Sequence, residues 1–154
     1  MAARPTPASR LAAQQPASIL DSLVGYRLRR ASNRMLSDFS ATMAPLALRP
    51  VLFAMLEVVR GNPGIIQMGL GTELGIQRAN LVPLINELAA RDLIERRAAP
   101  HDRRAMALFL TPAGEALLEQ ADAMVREHEE RMLAGLTRGE RDKLLELLAK
   151  IAAD

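Results

Sequence analysis

The chain has 154 residues, which suits one domain with a flexible arm, and its formal net charge is +2 at pH 7. It contains no cysteine, which excludes disulfides and thiolate metal ligands. Hydrophobic residues make up 49% of the chain but aromatic residues only 3%, so Leu, Ala and Met must fill the core, and these favour helices. No apolar run approaches the roughly 18 residues that cross a bilayer, so we expect a cytoplasmic protein without a membrane contact.

Charge is distributed unevenly along the chain. Residues 1–60 contain eight arginines and three acidic residues, whereas residues 105–154 contain six basic and ten acidic residues. A basic front and an acidic rear indicate a polyanionic partner, and a solvated charged face is the alternative explanation.

The N-terminal part of the sequence predicts an arm followed by two helices. Residues 1–17 are rich in Ala, Pro and Gln, which is typical of a flexible arm. Apolar residues recur at helical spacing over Leu20–Met43, and Pro45 is expected to end that helix. Pro50 suits the first turn of a second helix. The sequence Gly61-Asn62-Pro63-Gly64 predicts a break after it.

The rest of the sequence predicts four helices and a β-hairpin. Thr111-Pro112 is typical of a helix start, and Thr137 with Glu140 forms a capping box that opens the last helix. The predicted elements are helices at about 65–74 and 77–91, strands at 93–98 and 105–110, and helices from 111 and 137. The expected fold class is therefore mainly α with a small β-hairpin.

Two glycines indicate a helix-turn-helix within residues 70–88. Gly71 supplies a small residue where two steeply crossing helices approach, and Gly75 tolerates a positive φ in the turn between them. This spacing is typical of a DNA-binding helix pair whose second helix enters the major groove. An ordinary helical hairpin with incidental glycines remains the alternative at this point.

The predicted hairpin favours the DNA-binding interpretation because its tip is strongly basic. Arg96, Arg97, Arg103 and Arg104 crowd around this turn, where a wing would lie against phosphates or enter the minor groove. Asp102 would orient an arginine two residues later through a charge-assisted hydrogen bond. A solvated charge cluster is the alternative explanation for the same residues.

The segment LGTELGIQRANLVPLINELAARDLIERRAAPHDRRAMALFLTPAG, residues 70–114, resembles the core of the MarR (multiple antibiotic resistance regulator) family of bacterial transcription factors. The order of helices extends the resemblance over residues 20–153. Its most specific part is Asp102-Arg103-Arg104 followed by a strand that ends in Leu-Thr-x-x-Gly. The resemblance implies a winged helix-turn-helix at 48–111, flanked by dimerisation helices at 18–46 and 112–154 within one domain, 18–154.

The family resemblance also implies a function. It implies a homodimer that binds a pseudo-palindromic operator in double-stranded DNA and is usually released by a small ligand. Carried over by position, Arg104 would be the wing arginine at the minor groove and Asp102 its buttress. No cofactor or metal is implied.

The chain departs from the family pattern at four positions. Gly69 and Gly71 replace better helix formers and should soften the first helix of the pair by roughly 0.5–1 kcal/mol per glycine. Asp92 replaces a glycine after the recognition helix, in a turn that needs a left-handed residue. Pro83 removes a hydrogen bond within the recognition helix and occupies a position where many members carry a DNA-contacting side chain.

The helical period predicts which side of the recognition helix faces DNA. Gln77 and Arg78 at its start suit phosphate, and Asn80 suits a bidentate contact to adenine. Apolar side chains beside them suit thymine methyl groups. The full predicted DNA-binding set is Gln77, Arg78, Ala79, Asn80, Pro83, Arg97, Asp102, Arg103 and Arg104, with Val82 on the same face.

A methionine-rich junction between the first two helices is the candidate effector site. Flexible thioethers with a nearby cation suit a small aromatic acid or its acyl thioester. The same methionines could instead belong to the ordinary core. The candidate ligand-binding residues are Arg30, Arg34, Met35, Phe39, Met43, Val51 and Met55.

The sequence argues against three other functional classes. An enzyme is disfavoured because the sequence has no nucleophile motif. A metal-responsive regulator would need clustered ligands, but His101 and His128 have no second histidine at helical spacing, and His128 suits a satisfied core or interface position. A winged-helix module that binds only proteins is the third class, and the retained arginines argue against it.

Overall fold

The computed structural model describes residues 19–99 and 102–152, and the side chains of these residues except 99 and 102–105. Three strands form an antiparallel sheet in the order β1-β3-β2, and most of the other described residues are helical. This confirms the expected fold class. The elements are α1 (Ile19–Ser22), α2 (Val24–Met43), a 3₁₀ turn (Ala44–Leu46), α3 (Pro50–Gly61), β1 (Ile65–Ile66), α4 (Gln67–Glu73), α5 (Arg78–Ala90), β2 (Ile94–Ala99), β3 (Asp102–Leu110), α6 (Pro112–Met132) and α7 (Arg138–Ala152).

The chain divides into two compact units, Met1–Met35 and Leu36–Asp154. The predicted arm at 1–17 lies outside the described residues, and the predicted division into dimerisation helices and a winged lobe stays a prediction. Among the described helices, none is long and apolar enough by itself to cross a membrane. Only the pair Val24–Leu46 and Pro50–Gly61, bent by 74°, meets that length and composition jointly.

The hydrophobic core of the second unit forms between α3, α5, α6 and the sheet. Helix α3 contributes four buried residues at helical spacing, and α5 contributes three. Leu108 of β3 and Leu118 of α6 are fully buried against them. The core is thus aliphatic and rich in methionine, as the composition indicated. Its members on α3 and α5 are Leu52, Met55, Leu56, Val59, Leu81, Ile85 and Leu88.

The first predicted helix differs from the observed structure near its start. It is interrupted at Leu23, where the Ser22 hydroxyl donates to the Ile19 carbonyl (2.7 Å) and Arg27 Nε donates to the Asp21 carbonyl (2.9 Å). Side chains that capture main-chain carbonyls in this way compete with helical hydrogen bonding. At its other end the prediction is confirmed, since α2 ends at Met43 and Pro45 lies in the 3₁₀ turn that follows.

The segment predicted as a helix from 65 to 74 begins instead with a short strand. Ile65 and Ile66 pair with Leu108 and Ala107 of β3, and α4 starts only at Gln67. Gly64, at φ +88°, donates from its N–H to the Leu108 carbonyl (2.9 Å) and so aligns the two isoleucines with β3. Because β-branched residues favour extended backbone, this pairing outweighs the helical tendency.

Among the residues that the structure describes, two non-glycine residues adopt the left-handed conformation, Ala47 at φ +47° and Asp92 at φ +56°. The expectation that Asp92 occupies a left-handed turn after the recognition helix is therefore confirmed. Such a conformation costs an alanine about 1–2 kcal/mol, so the surrounding contacts must maintain the turn at Ala47. This residue lies between the 3₁₀ turn and α3.

Both expected helix starts are confirmed. Thr111 accepts a hydrogen bond from the Gly114 N–H (3.0 Å), and Pro112 occupies the first turn of α6. A Cβ on Gly114 would lie 2.1 Å from the Leu93 carbonyl oxygen, so only glycine fits there. At α7, Glu140 accepts from the Thr137 N–H (2.8 Å) and the Glu140 N–H reaches Thr137 Oγ1 (3.4 Å).

A buried histidine joins the end of α2 to α6. His128 is 2% exposed, and its Nδ1 lies 2.8 Å from Asp38 Oδ1. Arg131 donates to the same carboxylate oxygen (2.5 Å) and to Thr42 (2.9 Å). The hydrogen bonds from Arg131 and then from His128 lower the pKa of Asp38 from 3.8 to about 2. The expectation of a satisfied core histidine is confirmed.

The first prediction concerns the pH dependence of stability. Because its folded pKa is depressed, Asp38 contributes stability that is complete above about pH 4 and is lost as the pH falls from 3.8 towards about 2. Asp38→Asn should lower the free energy of unfolding at pH 7 and flatten its decline between these pH values. Urea titrations followed by circular dichroism at several pH values measure both effects. Glu119→Gln, at an exposed position of α6, should retain the wild-type profile.

Candidate nucleic-acid interface

The angle between α4 and α5 is set by a close backbone approach at Gly71. The Ile76 N–H donates to the Gly71 carbonyl (2.8 Å), and a Cβ on Gly71 would lie 3.0 Å from the Ile76 carbonyl oxygen. Gly75 takes φ +63° in the turn between the helices. Both glycine roles expected from the sequence are therefore present, and the pair forms the predicted helix-turn-helix.

Helix α5 has a buried side and an exposed side, as its sequence predicted. Leu81, Ile85 and Leu88 are 0–2% exposed and belong to the core. This packing turns the opposite face outward and leaves it free to meet a ligand. The exposed residues on and before this face are Gln77, Arg78, Ala79, Asn80, Val82, Pro83 and Asn86.

Pro83 lies inside α5 without ending the helix, which continues to Ala90. A proline there cannot donate to the Ala79 carbonyl one turn earlier, so that oxygen lacks its usual helical donor. Both residues are on the exposed face. The buried leucine and isoleucine side keeps the helix in place despite the missing hydrogen bond.

The hairpin of β2 and β3 is longer than predicted, and its tip is correspondingly shorter. Asp102, Arg103 and Arg104 belong to β3, with Ala99 opposite Asp102 after an irregularity in the register. The side chains of residues 102–105 lie outside the described part, as do residues 100–101. The predicted role of Asp102 as a buttress for Arg104, and the contacts of Arg103, therefore stay predictions.

Two arginines of β2 are engaged by neighbouring side chains. Arg96 donates to Asn86 Oδ1 of α5, which connects the hairpin to the exposed face of the recognition helix. Arg97 pairs with Glu95, and its guanidinium lies 4.5 Å from the centre of the Phe109 ring. The sequence showed both arginines but not these contacts, because Asn86 and Phe109 lie on other elements, and Glu95 shares one face with Arg97 only once β2 is extended. Contact of Arg97 with DNA stays a prediction.

A cavity of about 590 Å³ opens beside the start of α5. Its lining combines Met68 of α4, Val82 of α5 and Met106 of β3 with Gln77 and Arg78. Met68 is 76% exposed, so a large apolar side chain lies at the surface next to an arginine. Sequence patterns do not indicate this recess, because its walls come from separate elements, β1, α4, α5 and β3.

The candidate effector residues of the second unit lie close to its core. Met43 and Met55 are fully buried, and Phe39 and Val51 are half-buried side chains packed against that core. The Phe39 ring lies 5.4 Å from Phe53 and 5.5 Å from His128, centre to centre. The site can therefore present an aromatic surface, and the two methionines form part of the core beside it.

The remaining candidate effector residues belong to the first unit. Arg30 is exposed with its guanidinium 5.9 Å from the Tyr26 ring centre, and Arg34 is also exposed. Arg30 and Met35 point about 140° apart around α2, since successive residues turn by about 100°. This separation argues against one shared contact for both, and the assignment of Arg30, Arg34 and Met35 to a ligand site stays a prediction.

Metal ligands do not gather within the described part of the chain. There, no group of three or more His, Asp or Glu side chains is arranged to hold an ion. His128 is engaged by Asp38, and His101 lies outside the described residues.

Comparison with known proteins relates this geometry to a family. The family model described as MarR family matches residues 50–105, from α3 into β3. A candidate transcriptional regulatory protein for the hcr operon of Thauera aromatica is 31% identical over 129 residues, covering 83% of this chain and 78% of that protein.

Two solved structures of the transcriptional repressor CouR are also similar. CouR bound to a 23-mer DNA duplex superposes with a TM-score of 0.87 at 39% identity, covering 92% of this chain and 100% of that one. CouR bound to p-coumaroyl-CoA superposes with a TM-score of 0.81 at 38% identity, covering 92% and 99%.

The second prediction separates phosphate contact from base reading on α5. Arg78→Ala should weaken binding to all duplexes and reduce the slope of log affinity against log salt by about one, because it removes one phosphate contact. Asn80→Ala should cost the preferred sequence about 1–3 kcal/mol and leave binding to random duplex nearly unchanged. Fluorescence anisotropy at several salt concentrations distinguishes the two, with Arg138→Ala at the exposed start of α7 as a control. Equal losses in both variants would contradict the assignment.

Proposed function

Because the chain belongs to the MarR family, we propose that it is a homodimeric repressor released from a pseudo-palindromic operator by an aromatic carboxylate or its thioester. The family consists of DNA-binding transcriptional regulators rather than enzymes. The observation that carries the proposed DNA contact is the exposed first turn of α5, with Arg78 and Asn80 beside the arginine-bearing hairpin. We expect the protein to act in the cytoplasm, where its operator is accessible.

The chemistry of each element determines which part of the DNA we expect it to contact. Main-chain N–H groups and Arg78 at the start of α5 suit phosphate oxygens, while Asn80 can donate to and accept from adenine. Ala79, Val82 and Pro83 suit thymine methyl groups. Arg97, Arg103 and Arg104 of the hairpin suit the flanking backbone or minor groove, and Asp102 would orient Arg104.

The third prediction tests the operator. Selection from random duplexes should return an inverted repeat whose half-site centres lie about 10 base pairs apart, because two recognition helices related by a twofold axis read successive turns of one groove face. The half-sites should contain thymines near their centres. A protein-binding module would return no consensus and little salt-dependent affinity, and guanine-rich half-sites would contradict the proposed readout.

Support for a dimer comes from helix α7. None of its described residues is buried, and Leu144, Leu147 and Ile151, which recur at helical spacing on one face, are 38%, 45% and 61% exposed. Within the first unit, Ile19 and Val24 are similarly exposed at 76% and 70%. Apolar side chains clustered on one helix face at this exposure are typical of a protein contact, and a second copy of the chain satisfies the twofold operator.

The fourth prediction tests this dimer. Replacing Leu147 and Ile151 together by Glu should yield a folded monomer, since both side chains are exposed in the protomer and only the contact between copies loses apolar area. Analytical ultracentrifugation measures the mass. Gly139→Glu introduces the same residue on the polar side of α7, in open space, and should remain dimeric. A double variant that stays dimeric and binds operator would place the interface elsewhere.

The proposed effector site lies around the half-buried Phe39 ring. Phe39 packs beside Phe53 and His128, and the neighbouring core methionines are flexible enough to repack around an aromatic ring. The complex of CouR with p-coumaroyl-CoA supports a thioester as the effector class. Release requires that the effector bind more tightly to a form whose recognition helices do not match the half-sites.

The fifth prediction tests this site with p-coumaroyl-CoA and free p-coumarate as probes. For whichever of the two compounds releases the wild-type protein from DNA, Phe39→Ala should weaken binding about tenfold, equivalent to about 1.4 kcal/mol, because an aromatic stacking partner is lost. Calorimetry on the DNA-free protein measures the affinity. As a control, Phe109→Ala removes an aromatic ring that lies beside Gly64, away from Phe39, and should leave the affinity for the compound unchanged. Unchanged affinity in Phe39→Ala would locate the site elsewhere.

A further inference from the structure

The end of the recognition helix holds the connection that follows α2. Arg91, directly after α5, donates from Nη1 to the Ala47 carbonyl (2.8 Å) and from Nη2 to the Leu46 carbonyl (3.0 Å). One turn earlier, Glu87 forms an ion pair with Arg49. Two charged side chains from the end of the recognition helix therefore contact the last residue of the 3₁₀ turn and the segment 47–49 that joins this turn to α3.

The connection that Arg91 contacts contains a strained turn at Ala47. Ala47 has φ +47° and ψ +40°, a conformation that L-residues other than glycine, asparagine and aspartate rarely adopt. The turn is closed by the Ala47 N–H donating to the Ala44 carbonyl (3.0 Å) and the Leu48 N–H donating to the Met43 carbonyl (3.3 Å). Leu48, at 2% exposed, anchors its far side in the core.

Arg91 is suited to hold this turn. Its planar guanidinium offers parallel donors that match two consecutive carbonyls, and a donor of this kind fixes direction as well as distance. Main-chain carbonyls at Leu46 and Ala47 otherwise have no hydrogen-bond donor among the described contacts of the connection. Loss of Arg91 would leave the left-handed turn without the contact that offsets its strain.

We propose that Arg91 is a positioning residue that maintains the left-handed turn at Ala47 and so fixes the direction of α5 against the end of α2. In the proposed dimer, on which this inference rests, that direction determines the separation of the two recognition helices. A relaxed turn would let α5 meet half-sites at several separations. Arg91 thereby sets the preference for one operator spacing rather than the contact with each base.

The test compares spacing preference with intrinsic half-site affinity. The probes are the selected operator, versions with one base pair inserted or removed between the half-sites, and a duplex with a single half-site. Arg91→Ala should reduce the preference for the native spacing at least fivefold while single half-site affinity stays within twofold of wild type. Arg91→Lys, which can serve only one carbonyl well, should fall between the two. Arg126→Ala, an exposed arginine of α6, should match wild type.

Substitutions at Ala47 provide a second arm that keeps Arg91 intact. Ala47→Gly should retain the spacing preference, because glycine adopts this conformation freely, whereas Ala47→Val should reproduce the loss seen with Arg91→Ala. Amide exchange of Ala47 and Leu48 should accelerate in Arg91→Ala while exchange in the α3 core does not. This readout separates a local opening from general destabilisation.

The outcomes distinguish this inference from the function on which it rests. A wild-type protein that shows no spacing preference contradicts the dimeric operator complex. A wild-type preference that Arg91→Ala retains, or equal weakening of every duplex including the single half-site, overturns the role of Arg91. Unchanged amide exchange at Ala47 and Leu48 overturns it as well, whatever the DNA results.

Discussion

The burial of one side of α5 is the constraint on which the rest of the interface depends. Leu81, Ile85 and Leu88 occupy the centre of the core, so the helix cannot rotate without exposing them. Gly71 then allows this crossing angle, since a Cβ there would lie 3.0 Å from the Ile76 carbonyl oxygen, closer than an ordinary van der Waals contact. With this rotation and this crossing angle, Arg78 and Asn80 have to face outward.

Polar contacts complete this placement from three sides of α5. Asn86 receives Arg96 from the hairpin, Glu87 pairs with Arg49, and Arg91 holds the Ala47 turn. These contacts also change how the basic composition should be interpreted. Arg49 and Arg96, two of the arginines that suggested a polyanionic partner, have partners within the protein, so the number of basic residues overstates the charge that is free to contact DNA.

The helix-turn-helix and its exposed face could be predicted from the sequence because each depends on residues close together in the chain. Glycine at 71 and 75, the capping residues at 111 and 137, and the spacing of Leu81, Ile85 and Leu88 act within one or two helices. Strand β1 was missed because Ile65 and Ile66 become extended only by pairing with Leu108 and Ala107, far along the chain. The contacts among Asp38, His128 and Arg131, and those of Arg91 with the Leu46 and Ala47 carbonyls, also join residues far apart in the chain. The hydrophobic periodicity of the sequence contains no information about such partners. Ala47 gave no signal at all, since alanine ordinarily favours a right-handed helix.

Site-directed DNA cleavage tests the central claim, that the exposed first turn of α5 enters the DNA. Because the chain has no cysteine, Ala79→Cys creates a unique position for an iron-chelate cleavage reagent. We expect two clusters of cuts centred on the half-sites, about 10 base pairs apart, and no such cuts with the reagent at Asp142→Cys on α7. Cuts outside the half-sites, or the same pattern from both positions, would contradict it.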